Sequence, residues 1–573
     1  GFEKGYDTQA KRYHSRQAEI GVGCESCHGP GEAHIAWVRD ANTYASSGWE
    51  NLTDKGLTIG FAAETPAAEI EQCAPCHSRR ASFTTTTPTP GSAFHDNYRL
   101  SMLRNGLYFP DGQILDEVYV YGSFRQSRMH AAGVTCSDCH EPHGLEPRAE
   151  GNAVCATCHA PSTYDATAHH HHPAGSSGAQ CVACHMPSRS YMVVDPRRDH
   201  SMRIPRPDLS VSLGVPNACS QCHVGRSDRW SADALEAWYG KGRKPGHQRY
   251  AAVLNAAHRG EAGAGEGLAA LALDESAPSI ARATALQEMA GYLGRESLPA
   301  IQAGLASPDP LMRRAAVETL QDVDAAARLQ LIAPLLSDPV RGVRLAAASA
   351  LSDVRAQDVT DPTLHAALEK AFGEYLAAQR LNADRAEYWV NLAHFHFRQG
   401  QLDAAEADYA QARRRNARFV PAYVNQADMY RALGRDGDGE RILREGLQAV
   451  PEAASMHHSR GLLLIRAGRK EEAMLSLQQA YRLGPENPRL GYVYGIALEN
   501  AGQRERALGV WDAVVKRHPN DRETLNVLTM SLYKAGEHRR ALAHAEHLAS
   551  LYGDDQGWQQ VVDVIRQAAA RMP

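Results

Sequence analysis

From about residue 250 to the end, apolar and polar positions recur with a helical period. In the stretch SPDPLMRRAAVETL (307–320) a Pro-led turn is followed by an arginine and an alanine stripe. SDPVRGVRLAAASAL (337–351) repeats that order, and SAPSIARATAL (276–286) repeats it more faintly. Small alanines on one face let neighbouring helices pack closely, so the pattern predicts stacked helices. Further on, Gly400, Gly434, Gly468, Gly502 and Gly536 stand 34 residues apart. Ala405, Ala473, Ala507 and Ala541 keep that register, as do Pro451, Pro485 and Pro519, and Asn382 and Asn416 extend it backwards. The glycine separates a first helix from a second, the alanine lets the two touch, and the proline ends the second. Residues 1–240 differ: they are rich in Gly, Pro and His and show little sustained helical periodicity. A short helix, SDRWSADALEAWYG, is expected to close that segment, and KGRKPGHQRY (241–250) reads as a linker.

The Pro-Arg-Ala-Ala pattern, with its period near 30, resembles HEAT-type helical repeats over 250–358. An ordinary helical bundle is the alternative there. The 34-residue register over 366–573 resembles tetratricopeptide repeats. The expected fold is thus an N-terminal domain with little regular secondary structure over 1–240, then an all-α solenoid. The change of texture predicts that 1–240 folds independently of the repeats. A solenoid offers a concave face that binds a partner segment or positions subunits.

Length and charge change this picture little. At 573 residues the chain has room for several domains, and a net charge of −5 gives no nucleic-acid footprint. No apolar run is long enough to predict a transmembrane helix.

The cysteines change it a great deal. All 12 lie in Cys-x-x-Cys-His units: Cys24/Cys27/His28, Cys73/Cys76/His77, Cys136/Cys139/His140, Cys155/Cys158/His159, Cys181/Cys184/His185 and Cys219/Cys222/His223. This is the sequence form of covalent c-type haem attachment. Two cysteines three apart lie on one side of a helical turn, so both sulfurs reach the vinyl groups of one porphyrin. The next residue then offers its imidazole to the iron. Zinc would not demand a histidine at that place six times, and a disulfide scaffold would scatter its spacings. Six haems c are therefore expected, with His28, His77, His140, His159, His185 and His223 as proximal ligands.

The remaining histidines of this segment supply candidate ligands for the opposite face of each iron. Apart from His14, they are His34, His95, His130, His143, His200 and the run His169, His170, His171 and His172. Four consecutive histidines cannot face one iron, so one or two of the run are expected to be ligands. His143 stands three residues after His140, a link of about 10 Å at full extension. That is too short to pass round a porphyrin, so His143 is expected on the iron of another haem. His34, six residues past His28, is expected to serve a neighbour for the same reason. A surface or supporting histidine is the alternative at each position. Arg197, Arg198, Arg203 and Arg206 are candidates to pair with haem propionates.

GVGCESCHGPGEAH, GVTCSDCHEPHG, GNAVCATCH and DPRRDHSMRIPRPDLS resemble the multihaem c-type cytochromes that carry tetratricopeptide repeats. These are distantly similar to the multihaem nitrite reductases and hydroxylamine oxidoreductases. The resemblance implies two further motifs upstream, eight haems in full, and KGYD (4–7) just after the second of them. Such haems are attached outside the cytoplasmic membrane. Export to the periplasm or cell surface is therefore expected, with a leader or further sequence before Gly1. Irons held by two histidines suit electron transfer, including extracellular electron transfer, more than bond chemistry. The expected function is an electron relay with a repeat arm that docks redox partner proteins or assembles the chain into a homo-oligomer or filament. The alternative is an oxidoreductase with one open iron acting on a small nitrogen or sulfur species.

Overall fold

In the computed structural model the described residues are 2–17, 20–39, 55–61, 65–84, 88–242, 244–553 and 556–571. They divide into two compact units. The first comprises residues 1–255, 265–351 and 361–378; the second comprises 256–264, 352–360 and 379–573.

The N-terminal part of the first unit is built from one- to three-turn helices and short antiparallel ladders. The longest ladder pairs Ser188–Tyr191 with Asp195–Arg198. Each Cys-x-x-Cys-His unit forms a single helical turn. In the third, fourth and sixth units the histidine N–H bonds back to the carbonyl of the first cysteine at 2.9–3.0 Å. The first and fifth coincide with the helices Cys24–His28 and Cys181–His185, neither of which buries a residue. The second ends the helix Pro66–His77, started by the Thr65 hydroxyl and a proline at its first position. A polypeptide core does form between the second and third motifs, where Phe94, Leu100, Leu103, Tyr108 and Tyr121 are buried.

HEAT-like helices complete this unit. Ser279–Glu288, Pro310–Thr319 and Arg341–Ala350 bury Ala281, Ala285, Ala315, Ala316, Ala347 and Ala348 completely. The recurring arginine has a recurring task. Arg313 donates to the carbonyls of Ser307 and Pro308 in the turn before its helix, and to both carboxylate oxygens of Asp338 at 2.7 and 2.9 Å. Arg344 does the same one repeat later, donating to the carbonyls of Asp338 and Pro339 and to Glu374. The arginine therefore ties each turn to the next repeat.

Two expectations are corrected here. The cysteine-rich segment and the HEAT-like helices share one buried interior. Leu103 N–H donates to Thr284 Oγ1 at 3.1 Å, Arg314 donates to the Leu100 carbonyl at 2.9 Å, and Arg125 pairs with Asp309 at 3.1 Å. The stretch expected to be a linker is partly core: Tyr250 is buried and its hydroxyl donates to Gln126 Oε1 at 2.6 Å. Gln248, also buried, bridges the carbonyls of Gln126 and Ser201. The Gly, Pro and Lys composition of 241–246 hid the buried positions that follow it.

The second unit is made of paired helices, and among the described residues of 366–573 every assigned element is an α-helix. The pairs begin with Ala386–Arg398 and Leu402–Arg415 and continue to Arg522–Lys534 and His538–Tyr552. Gly400, Gly434, Gly468, Gly502 and Gly536 all have φ between 69° and 81°, the left-handed conformation that stops one helix before the next. Ala405, Ala473, Ala507 and Ala541 are wholly buried where the paired helices touch. No helix among the described residues is long and apolar enough to cross a membrane.

Candidate functional site

All 12 cysteines are exposed or half-buried, and none is joined to another by a disulfide. Thiols of successive motifs are neighbours along the whole series. The Cys73 and Cys136 thiols neighbour each other, as do those of Cys155 and Cys181. Cys27 lies in the field of Cys73 and Cys76, Cys139 in that of Cys158, and Cys184 in that of Cys219 and Cys222. Burial, with the neighbouring thiols, pushes Cys155 and Cys184 up to about 11. Among the described residues no three His, Cys, Asp or Glu side chains converge as they would on a single bare metal ion. In each motif the two sulfurs and the imidazole are splayed along one helical turn.

The histidines pair across the motifs. The His143 ring lies near-parallel to that of His28, with centres 6.3 Å apart and planes at 9°. His200 stands 6.4 Å from His140, His169 stands 6.2 Å from His185 at 8°, and His172 stands 6.0 Å from His223 at 40°. Two imidazoles on one metal, at about 2 Å per bond, have ring centres about 6 Å apart. Ordinary aromatic packing spans the same range, so the ring nitrogens carry the argument. His28 Nδ1 faces the Ile59 carbonyl at 3.2 Å, and His143 Nδ1 faces Glu141 Oε1 at 3.1 Å. His185 Nδ1 faces the Arg203 carbonyl at 2.7 Å, His200 Nδ1 the Arg198 carbonyl at 3.0 Å, and His172 Nδ1 the His170 carbonyl. A carbonyl or carboxylate only accepts, so Nδ1 carries the proton and Nε2 keeps its lone pair. That tautomer, oriented by that partner, is the one a metal-binding imidazole takes. Burial also holds His77, His169, His185 and His200 below the usual imidazole range, in the neutral form. The residues present therefore fit haem c at these motifs.

The four-histidine run is divided among tasks. His169 and His172 face motif histidines, as above. His171 lies flat on Trp238 at 4.4 Å, and His170 Nδ1 accepts from the His172 N–H. The helix Asp228–Tyr239 makes this possible. The Ser227 hydroxyl caps its start, and it lays Trp230 against His223 at 4.9 Å and the Tyr239 hydroxyl on the His169 carbonyl. Those aromatic neighbours carried no signal in the sequence beyond their place on the closing helix.

The remaining histidines have other neighbours. His77 neighbours His140, and His159 meets the edge of Tyr164 at 5.4 Å. His34 Nδ1 faces the Lys55 carbonyl at 2.7 Å, and its ring lies 5.5 Å from Trp37. His130 sits edge-on to Phe124 at 5.5 Å, in a cavity of about 250 Å³ shared with Arg125 and His247. Burial, then Arg125, lowers His130 to about 4. His95 is buried with its Nε2 3.4 Å from an Arg125 nitrogen, so the nitrogen expected to reach an iron faces a guanidinium instead. The arginine cluster is also corrected. Arg203 pairs with Asp111, Arg197 with Asp195 and Arg206 with Asp208, while Arg198 donates to the Met186 carbonyl. Their charges are met by protein groups close by.

Comparison with known proteins bears on the repeats. Residues 249–370 match the family of HEAT repeats, and residues 386–417 match the tetratricopeptide repeat. No curated protein matches the chain. Among solved structures, MamA protein is 14% identical over 29% of this chain and 91% of its own, with a TM-score of 0.25. YrrB, described as a TPR protein with an unusual peptide-binding site, is 19% identical over 32% of this chain and 96% of its own, with a TM-score of 0.26. Pseudomonas aeruginosa pilF is 16% identical over 39% of this chain and 99% of its own, with a TM-score of 0.28.

Proposed function

We propose that the chain is an exported multihaem c-type cytochrome that passes electrons along six covalently attached haems. On this reading its helical repeats dock a redox partner or a second copy of the chain. The observation that carries the reading is the set of four imidazole pairs at 6.0–6.4 Å, each joining a motif histidine to one outside the motifs, with Nδ1 of His28, His143, His185, His200 and His172 turned to a carbonyl or carboxylate. Bound haem would supply one-electron chemistry at little geometric cost when both axial positions are filled. The chain's own residues do the rest. Successive thiols hold the six attachment points in sequence order, which sets the order of the relay. His143 and His200 tie one motif to another, fixing the spacing between neighbouring centres. Val22, Leu145 and Val224, beside the first, third and sixth motifs, are 72, 80 and 86% exposed and give a flat apolar ring surfaces to lie against.

A second reading, an oxidoreductase, needs an iron with an open face. His77 and His159 are the motif histidines at which to look for it, because the imidazole pairs above involve the other four. Electron paramagnetic resonance of the purified holoprotein decides between the two. Low-spin signals alone, unchanged by nitrite or cyanide, support the relay. A high-spin fraction that binds either anion supports the enzyme.

A further inference from the structure

We propose that the buried ion pair of Arg203 with Asp111 is a positioning device for two iron ligands at once, His185 and His200; this rests on reading those histidines as ligands. The two imidazoles take their Nδ1 partners from one six-residue loop. His185 uses the Arg203 carbonyl at one end, and His200 uses the Arg198 carbonyl at the other. The backbone tightens the link, since Arg203 N–H donates to the His185 carbonyl at 3.1 Å and Asp199 N–H to the Pro187 carbonyl at 3.0 Å. His185 pairs with His169 and His200 with His140, so the loop reaches the third and fifth motifs together.

The ion pair fixes that loop. Side chains of Arg203 and Asp111 are 8% and 3% exposed, with Nη1 donating to Oδ2 at 3.1 Å and to the Asp111 carbonyl at 3.2 Å. Arg203 Nε donates to Ser201 Oγ, and Ser201 N–H to Asp199 Oδ1 at 2.8 Å. Asp111 is itself held by Gln113, through the backbone and the side-chain amide. Met202 between them has φ of 45°, a left-handed conformation that a non-glycine residue keeps only when its surroundings impose it. A buried ion pair adds little net stability, because desolvation offsets the attraction. Its effect is to define geometry: an imidazole whose Nδ1 partner shifts changes its orientation and its basicity toward the metal.

The test uses the full-length holoprotein with Asp111→Asn and Arg203→Lys, read by redox titration and low-spin resonance signals. The expected result is six haems retained, two of the six potentials and signals shifted, and four unchanged. Arg206→Ala, which breaks the neighbouring pair with Asp208 and a hydrogen bond to the Pro245 carbonyl but touches neither imidazole's partner, should shift none. If Arg203→Lys does not fold, Asp111→Asn decides, because it keeps one oxygen to accept from Arg203 and the Gln113 side-chain amide while removing the charge and the second acceptor. Six unchanged signals in a folded variant overturn the proposal, and so does a uniform shift of all six. A wild-type chain that carries no haem overturns both this proposal and the reading beneath it, and so distinguishes the two failures.

Discussion

At the scale of single residues, the account rests on which nitrogen of each imidazole is engaged. His143 shows this best. On the proposed reading its reach excludes a porphyrin beside His140; its ring stands against that of His28 with Nδ1 on Glu141. On the proposed reading, His143→Ala should turn one haem of six toward high spin, and that haem should be the one at Cys24 and Cys27. Site-resolved resonance or proteolytic haem-peptide mapping checks which. A change at Cys136 and Cys139 would show that the reach argument is wrong. His95 makes a different prediction. Burial, then Arg125 and Arg314, lowers it to about 3, far below the ordinary imidazole value. The unfolded chain therefore binds a proton that the folded chain refuses, so this residue costs stability as pH falls below about 6.5. His95→Gln should flatten the loss of stability between pH 6.5 and pH 4, measured by denaturant titration at each pH. An unchanged slope would contradict a buried neutral His95.

At the scale of elements, the repeats turn small residues into contacts. Gly495, in the helix Pro488–Asn500, faces its paired helix so closely that a Cβ there would lie within 2.4 Å of the Trp511 ring atoms Nε1 and Cε2. Gly509, in the helix Arg504–Arg517, has nothing within 4 Å of its Cβ position. Gly495→Ala should therefore destabilise the unit by about 1–3 kcal/mol, as overpacking does. Gly509→Ala should stabilise it by roughly 0.5–1 kcal/mol through helix propensity. Thermal melts of the two variants should move in opposite directions. The element scale was also the most legible in the sequence. The glycine that must be left-handed and the alanine that must be small are local demands, so they recur at a fixed spacing.

At the scale of the molecule, the cysteine-rich segment and the HEAT-like helices are one folding unit. Cutting after residue 240 would remove the partner of Leu103 N–H, take Ser279 and Asp309 from Arg125, and leave the Leu100 carbonyl without Arg314. A chain ending at 378 should melt cooperatively, whereas one ending at 240 should not, which calorimetry reads directly. The sequence did not reveal this union because its contacts join positions nearly two hundred residues apart. Sequence alone also did not pair the imidazoles: His28 and His143 each look local in the sequence, and only the fold puts them face to face. Composition misled twice. Four arginines close together suggested anion binding, while three of them have carboxylate partners within a few residues or, for Asp111, far away, and Arg198 donates to backbone carbonyls. A Gly- and Pro-rich stretch suggested a linker, while Gln248 and Tyr250 within it are core. The repeated Cys-x-x-Cys-His unit was legible because its fixed spacing lies within one helical turn, which is what the proposed covalent attachment requires. The most direct test of the central claim is the intact mass of the chain under denaturing conditions, after expression in a host that attaches haem to cysteine. The account predicts six covalent haem additions within residues 24–223, and none on the repeats. A chain at its unmodified mass, or with additions lost on denaturation, would contradict it.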